Sequence, residues 1–243
     1  MASGDWAQIR KLRKGPKPNQ GRLKNADGEI VSSEERANTL ADHLQSVQWA
    51  VRFISVVPER PLLNAPIAVK LGDIDEEEIT QAANRLKRNK ATGLDGIPAE
   101  YWKSIATPGS RACQWAVDFC ASCWRQKTVP KQWKNASVTT IFKKGDPADC
   151  NNYRPISLVQ VGYKLFATVM LIRLQAAGTD DFIWPTQFGF KRGRSTHDAF
   201  FIARRLQERA WATNNGKIIF LALNWAKGFD SVFPETLGRA LLR

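Results

Sequence analysis

Along the chain, apolar residues recur at helical spacing in some stretches and run unbroken in others. From Ser32 or Ser33 onward, Ala37, Leu40, Ala41, Leu44 and Val47 fall three and four apart, which predicts an amphipathic helix. Pro58, Pro61 and Pro66 make the following segment a linker. A second helix starts at Asp75, with Asp75 as N-cap, Glu78 closing a capping box, and Ile74 and Ile79 placed as a hydrophobic staple. Ile79, Ala82, Ala83 and Leu86 form its stripe, and Lys87, Arg88 and Lys90 crowd its C-terminal end, where positive charge suits the helix dipole. The acidic run 76–78 is therefore helix chemistry and not a metal cluster. Residues 111–125 read as a buried helix through Trp115, Ala116, Phe119 and Cys123, and 129–133 ends it. A strand is predicted over 138–142, and a long amphipathic helix then carries Leu165, Val169, Ile172 and Leu174 near one face. Ser195 caps a further helix with Asp198 three residues on; Phe201 and Leu206 face inward, and the turn 214–216 ends it. Residues 218–223 are unbroken apolar, partly β-branched, and read as a buried strand; a last helix is expected from 234.

Charge changes the picture. The 243 residues carry 36 Lys and Arg against 23 Asp and Glu, a net charge of +13. Such an excess is a statement about partners, and polyanions are the usual ones. Residues 1–25 concentrate it, with Arg10, Lys11, Arg13, Lys14, Lys17, Arg22 and Lys24 against Asp5 alone. Pro16 and Pro18 break any helix there, leaving either a solvated basic arm or one that lies on phosphates. The four cysteines, Cys113, Cys120, Cys123 and Cys150, include a Cys-x-x-Cys pair, but a second ligand pair is lacking and His43 and His197 are distant in sequence. Buried reduced thiols fit better than zinc or a disulfide. No apolar run approaches the roughly 18 residues of a membrane span, and no signal peptide opens the chain. The expectation is a soluble, intracellular protein without a membrane partner, nuclear or cytoplasmic.

Four segments carry chemistry. Residues 90–100, KATGLDGIPAE, form a glycine-flanked loop ahead of a helix. Lys143, Lys144 and Gly145 tip a turn that returns through Asn152, Tyr153, Arg154, Pro155, Ile156, Ser157 and Leu158. Gln187, Phe188, Gly189, Phe190, Lys191, Arg192, Gly193, Arg194, Ser195 and Thr196 interleave aromatic and basic residues, a composition that suits a strand of bases and phosphates. The apolar strand then ends in Asn224, Trp225, Ala226, Lys227, Gly228, Phe229 and Asp230.

Taken in this order, the segments resemble the reverse transcriptases of non-LTR, LINE-type retrotransposons. The first is similar to that family's K-A-x-G-x-D-G-[IV]-P loop, with Leu94 where Pro is usual. The second resembles the fingers hairpin that closes over the incoming nucleotide. Arg154 offers a planar fork for phosphate oxygens, and Lys143 and Lys144 offer point charges; a merely solvated basic hairpin is the alternative. The third resembles the segment that lies along template and primer. The fourth resembles motif A, in which an Asp holds catalytic magnesium, an aromatic excludes the ribose 2′-hydroxyl and a second Asp follows. Here Asn224 stands at the metal-binding position, Phe229 at the steric gate and Asp230 at the second acidic position. Asn224 offers a carbonyl oxygen without the charge that holds a hard cation.

The resemblance implies an α+β, right-hand polymerase fold, truncated to mostly helical fingers, a basic β-hairpin and the beginning of an α/β palm. Residues 1–66 are expected to be a basic arm and linker, and 67–243 the reverse transcriptase domain. Family partners would be an RNA template, a DNA primer and a nucleoside triphosphate, with two Mg2+ ions as cofactor. The downstream [FY]-x-D-D hairpin and the thumb are not found in these residues. The expectation is a polymerase fragment that is inactive as it stands and binds no metal strongly. A non-catalytic nucleic-acid-binding module and a decayed reading frame are the alternatives.

Overall fold

The computed structural model describes residues 23–50, 66–225, 228 and 232–241. The chain divides into two compact units, one built from residues 1–59, 138–157 and 227–241 and the other from 60–137, 158–226 and 242–243. The basic arm before Leu23 and most of the proline linker fall outside the described residues, as do Phe229 and Asp230.

In the first unit, Asn25 Oδ1 accepts the backbone N–H groups of Asp27 and Glu29, and Gly28 takes a positive φ of 85°, so the Asp27-Gly28 pair makes a tight turn. Helix α1, Arg36–His43, continues into a π turn over Leu44–Gln48. Leu40 and Leu44 are buried one turn apart. Val47 was expected on the same stripe and is exposed, because the wider π turn rotates it off that face. Strands β1, Ser137–Phe142, and β2, Tyr153–Leu158, form a two-stranded sheet. The Lys143 N–H donates to the Asn152 carbonyl at 2.8 Å just beyond the strand ends, which makes the pair an antiparallel hairpin with Phe142 across from Tyr153. Leu23, Leu40 and Tyr153 make a small core, with Val31, Phe142 and Cys150 against it. The Tyr153 hydroxyl donates to the Pro147 carbonyl at 2.7 Å and accepts from Arg36 at 2.9 Å. The last helix, residues 234–241, also belongs to this unit.

The second unit is a helical cluster. Its helices are α2 (Glu76–Arg85), α3 (Ala99–Ile105), α4 (Arg111–Arg125), α5 (Val161–Ala176) and α6 (Thr196–Ala212). Asp75 caps α2 with the capping box read from the sequence, and Ile74 and Ile79 are both buried in the core. Helix α2 packs on α3, α4 and α5. Along α5, Val161, Leu165 and Val169 repeat every four residues, and the fourth member of that row is Arg173, only 3% exposed. Its guanidinium meets Glu78 at 2.6 and 2.8 Å and donates to the carbonyls of Lys70, Gly72 and Asp73. Every polar edge of a buried cation is thus occupied, and the extended segment before α2 is tied to α5. Gly93 lies so close to Gln160 that a Cβ there would sit 2.6 Å from the Gln160 Cα.

Several expected inward residues face solvent. Trp115 is 54% exposed, since the buried row of α4 runs through Cys113, Ala116, Val117 and Cys120, and its ring lies over Phe119 on the flank. Leu174 is exposed because it follows Arg173 and sits about 100° round the helix from the buried row. No residue of α6 is buried, Phe201 and Leu206 included. Residues 218–223 do not form the expected strand. Apolar β propensity becomes a strand only with a ladder partner, and among the described residues the sheet consists of β1 and β2 alone. The observed architecture is therefore mixed helix with a small sheet.

Candidate nucleotide and nucleic-acid interface

Side chains alternate across the hairpin. Phe142 and Tyr153 point to the small core, so Ile141 on one strand with Lys143 just past its end, and Arg154 and Ile156 on the other, share the open face, and all four are exposed. The loop between the strands is built from its own polar groups. Asp146 Oδ1 accepts the Ala148 N–H at 2.9 Å, Asp149 Oδ1 accepts the Asn151 N–H at 2.8 Å, and the Asn152 amide donates to the Asp146 carbonyl at 2.9 Å. Gly145, at φ 98°, leaves room for that amide: a Cβ would meet Asn152 Nδ2 at 2.8 Å. No described acid pairs with Lys143, Lys144 or Arg154. The result is a pre-shaped tip with three cations facing water, chemistry suited to a phosphate chain.

Residues 187–194 lie in the second unit as a series of turns. The Gln187 side chain donates to the Gly189 carbonyl at 2.9 Å, and the Arg194 N–H to the Lys191 carbonyl at 3.2 Å. Phe190 has φ 59° and is 96% exposed. An aromatic residue in the left-handed region with its ring in water is a strained arrangement of the kind that collects at binding sites. Phe188 is half-buried, with the Arg194 guanidinium 5.8 Å from its ring centre. Lys191 is an anchor: its Nζ donates to the Asp180 and Ile183 carbonyls. Arg192, Arg194 and Phe190 are exposed members of the segment. Trp184, 78% exposed just ahead, extends the aromatic surface; its place before Pro185 and the Gln187 motif is the signal that sequence reading passed over. Ser195 and Asp198 form a capping box that fixes where α6 begins, and hydrogen bonds from the Ser195 backbone and hydroxyl hold the Asp198 carboxyl below its ordinary range.

Asn224 is exposed and offers only a neutral amide, while Asp230 lies outside the described residues. No group of three or more His, Cys, Asp or Glu side chains converges among the described residues. This donor set does not fit a hard divalent cation, which needs charged oxygens. All four cysteines are free, and burial pushes the Cys120 thiol up to about 12. Among the described residues no helix is long and apolar enough to cross a membrane.

Residues 141–242 match the family described as reverse transcriptase (RNA-dependent DNA polymerase). The chain is 29% identical over 199 residues to a probable RNA-directed DNA polymerase from transposon BS of Drosophila melanogaster, covering 79% of this chain and 22% of that protein. It is 26% identical over 198 residues to the RNA-directed DNA polymerase from mobile element jockey of Drosophila funebris, covering 79% of this chain and 21% of that one. A Pol polyprotein from the type-1 retrotransposable element R1 of Bradysia coprophila is 29% identical over 164 residues, 66% of this chain and 16% of the relative. The chain thus spans about a fifth of the length of the curated relatives it matches. The family match takes in most of the hairpin and the Gln187 segment, and over these stretches the chain is similar to the reverse transcriptases of non-LTR, LINE-type retrotransposons.

Proposed function

We propose that this chain is the fingers and first part of the palm of a right-hand reverse transcriptase, one that binds template, primer and nucleotide but does not itself catalyse polymerisation. Residues 67–243 would make up the polymerase part and 1–66 its basic arm and linker. Lys143, Lys144 and Arg154 take the triphosphate of the incoming nucleotide. Gln187, Phe188, Gly189, Phe190, Lys191, Arg192 and Arg194 form the surface along RNA template and DNA primer, with Lys191 as its anchor. Phe229 screens the sugar, and Asp230 stands at the second acidic position of the catalytic segment. In an intact family member, magnesium would activate the primer hydroxyl and steady the leaving pyrophosphate. With Asn224 in place of the carboxylate, this chain retains binding without that chemistry. The observation that carries the reading is the exposed hairpin end, where Lys143, Lys144 and Arg154 have no ion-pair partner among the described residues, within the matched segment.

The test compares ligands on one variant. Arg154→Ala weakens nucleoside triphosphate binding more than it weakens binding of a primer–template, measured by titration of the full chain. Equal losses would sink the fingers assignment. Primer–template affinity falls steeply with salt, because each neutralised phosphate releases counterions; a flat response between low and physiological salt would remove the nucleic-acid reading. Asn224→Asp raises magnesium affinity modestly, by calorimetry, and still gives no primer extension.

A further inference from the structure

Away from residues 187–194, the second unit carries a groove of about 820 Å3. Leu71, Trp124 and Phe166 line it with apolar surface, and Arg125, Lys127 and Lys134 line it with charge. Asp73 is its one acid among the described residues, and Arg125 already holds it at 2.8 Å. Lys127 and Lys134 are exposed without a described ion-pair partner. The apolar side is braced: Trp124 Nε1 donates to the Leu71 carbonyl at 3.1 Å, and the buried Arg173 guanidinium stands 5.1 Å from the Trp124 ring centre.

A second observation concerns Lys127 itself. It follows α4 with φ 52°, in the left-handed position where helices usually end on Gly or Asn. The Lys127 N–H reaches the Trp124 carbonyl and the Thr128 N–H the Cys123 carbonyl, both at 3.2 Å, which closes the helix end. Among the described residues four non-glycine positions have positive φ, and two of them, Asn89 and Asn215, are the kind that tolerates it. The other two are Phe190 and Lys127. Each puts a ligand-type side chain at a place that local conformational preference would give to a smaller residue.

We propose that this groove is a second contact for single-stranded nucleic acid, taking an unstacked base against Trp124 and Phe166 and the flanking phosphates on Lys127 and Lys134. Aromatic surface beside unpaired cations is the arrangement that holds a single strand without reading its sequence. The volume falls within the range of sites that enclose a small organic ligand, enough for a nucleotide unit. The identity of the strand as RNA rests on the functional reading above; the groove and its charge do not. An acidic peptide would find the same cations, but the aromatic rings of Trp124 and Phe166 in the lining favour bases.

The experiment photocrosslinks the full chain to a 4-thiouridine-containing oligouridylate and maps the modified peptides by mass spectrometry. Crosslinks within 124–134 are expected, and Lys127→Glu/Lys134→Glu abolishes them while leaving those within 187–194. The same double variant lowers the slope of log affinity against log salt by about 1.4, two single-strand phosphate contacts at about 0.7 each. Arg192→Glu/Arg194→Glu shows the opposite pattern of crosslinks. Crosslinks confined to 187–194, or an unchanged salt slope in the first variant, overturn the groove assignment and leave the template reading standing. No crosslinks anywhere overturn both. A polyglutamate peptide that binds the parent as tightly as the oligonucleotide and loses binding in the first variant makes the groove a peptide site, and also overturns the proposal.

Discussion

Arg173→Met removes the guanidinium that meets Glu78 inside the helical unit. Glu78 is 8% exposed and keeps one cation, Lys70 Nζ at 3.2 Å, whose own side chain is half in water. The carbonyls of Gly72 and Asp73 lose their donor at 2.8 and 2.9 Å. Stripping one partner from a buried ion pair costs about 3–5 kcal/mol, and the surviving Lys70 contact argues for the lower end, about 3 kcal/mol. With a urea slope of about 2 kcal/mol/M, the unfolding midpoint falls by roughly 1.5 M. Arg173→Lys restores the charge but not the fork and recovers only part of the loss. Arg173→Met/Glu78→Gln removes the stranded carboxylate, so its loss is smaller than the sum of the single variants by at least about 1 kcal/mol. The acid limb gives an independent sign. Burial by itself would raise the Glu78 carboxyl, but hydrogen bonds from Arg173, the Asp75 N–H and Lys70 outweigh it and hold the group below its ordinary value of 4.5. Its stabilising contribution is therefore complete above pH 4.5 and disappears as pH falls through the lower folded value, and Glu78→Gln flattens that part of the profile. Urea denaturation followed by circular dichroism measures all of this. A loss under about 0.5 kcal/mol for Arg173→Met, or strict additivity in the double variant, would refute the reasoning.

Gly93→Ala puts a Cβ 2.6 and 2.7 Å from the Gln160 Cα and N and lowers stability by about 1–3 kcal/mol. Gly72→Ala, where a Cβ meets nothing within 4 Å, is the neutral control, and equal melting temperatures for the two would contradict the packing argument. Phe190→Gly leaves the melting temperature unchanged or higher, because strain is relieved, yet weakens single-stranded RNA binding roughly tenfold through the lost stacking; unaltered affinity in a filter-binding titration counts against the exposed ring as a contact. With its thiol pushed up to about 12, Cys120 is almost wholly protonated at pH 8, so a thiol reagent labels the native chain at half-buried Cys150 first. Early modification at Cys120, read by peptide mapping, would show that burial does not protect it.

The helix starts were legible because their chemistry is local. Asp75 with Glu78, and Ser195 with Asp198, each complete a capping box within four residues, and both formed as read. The motif segments were legible for a similar reason, since turn residues and cations there act at short range. Arg173 was not, because in a stretch of apolar residues one cation gives no sign of facing inward until the four-residue row from Val161 is laid against Glu78. The hold on Lys191 was not legible either, because the carbonyls that accept from it come from a turn eight to eleven residues earlier. The 218–223 run shows the general limit: composition encodes apolar surface and β-branching, while a ladder needs a second strand whose position no local pattern records.

The small core around Tyr153 has a bearing on how the chain is made. The Arg36 bond to Tyr153 spans 117 residues, and the contact from Cys150 back to Lys24 spans 126. At typical rates of synthesis, the segment around α1 waits on the order of ten seconds before β2 leaves the ribosome. During that interval Leu23 and Leu40 have no Tyr153 to cover them, while residues 60–137, which emerge in between, belong to the other unit. Slowing translation between residues 50 and 138 therefore lengthens the window in which chaperones can engage the N-terminal segment.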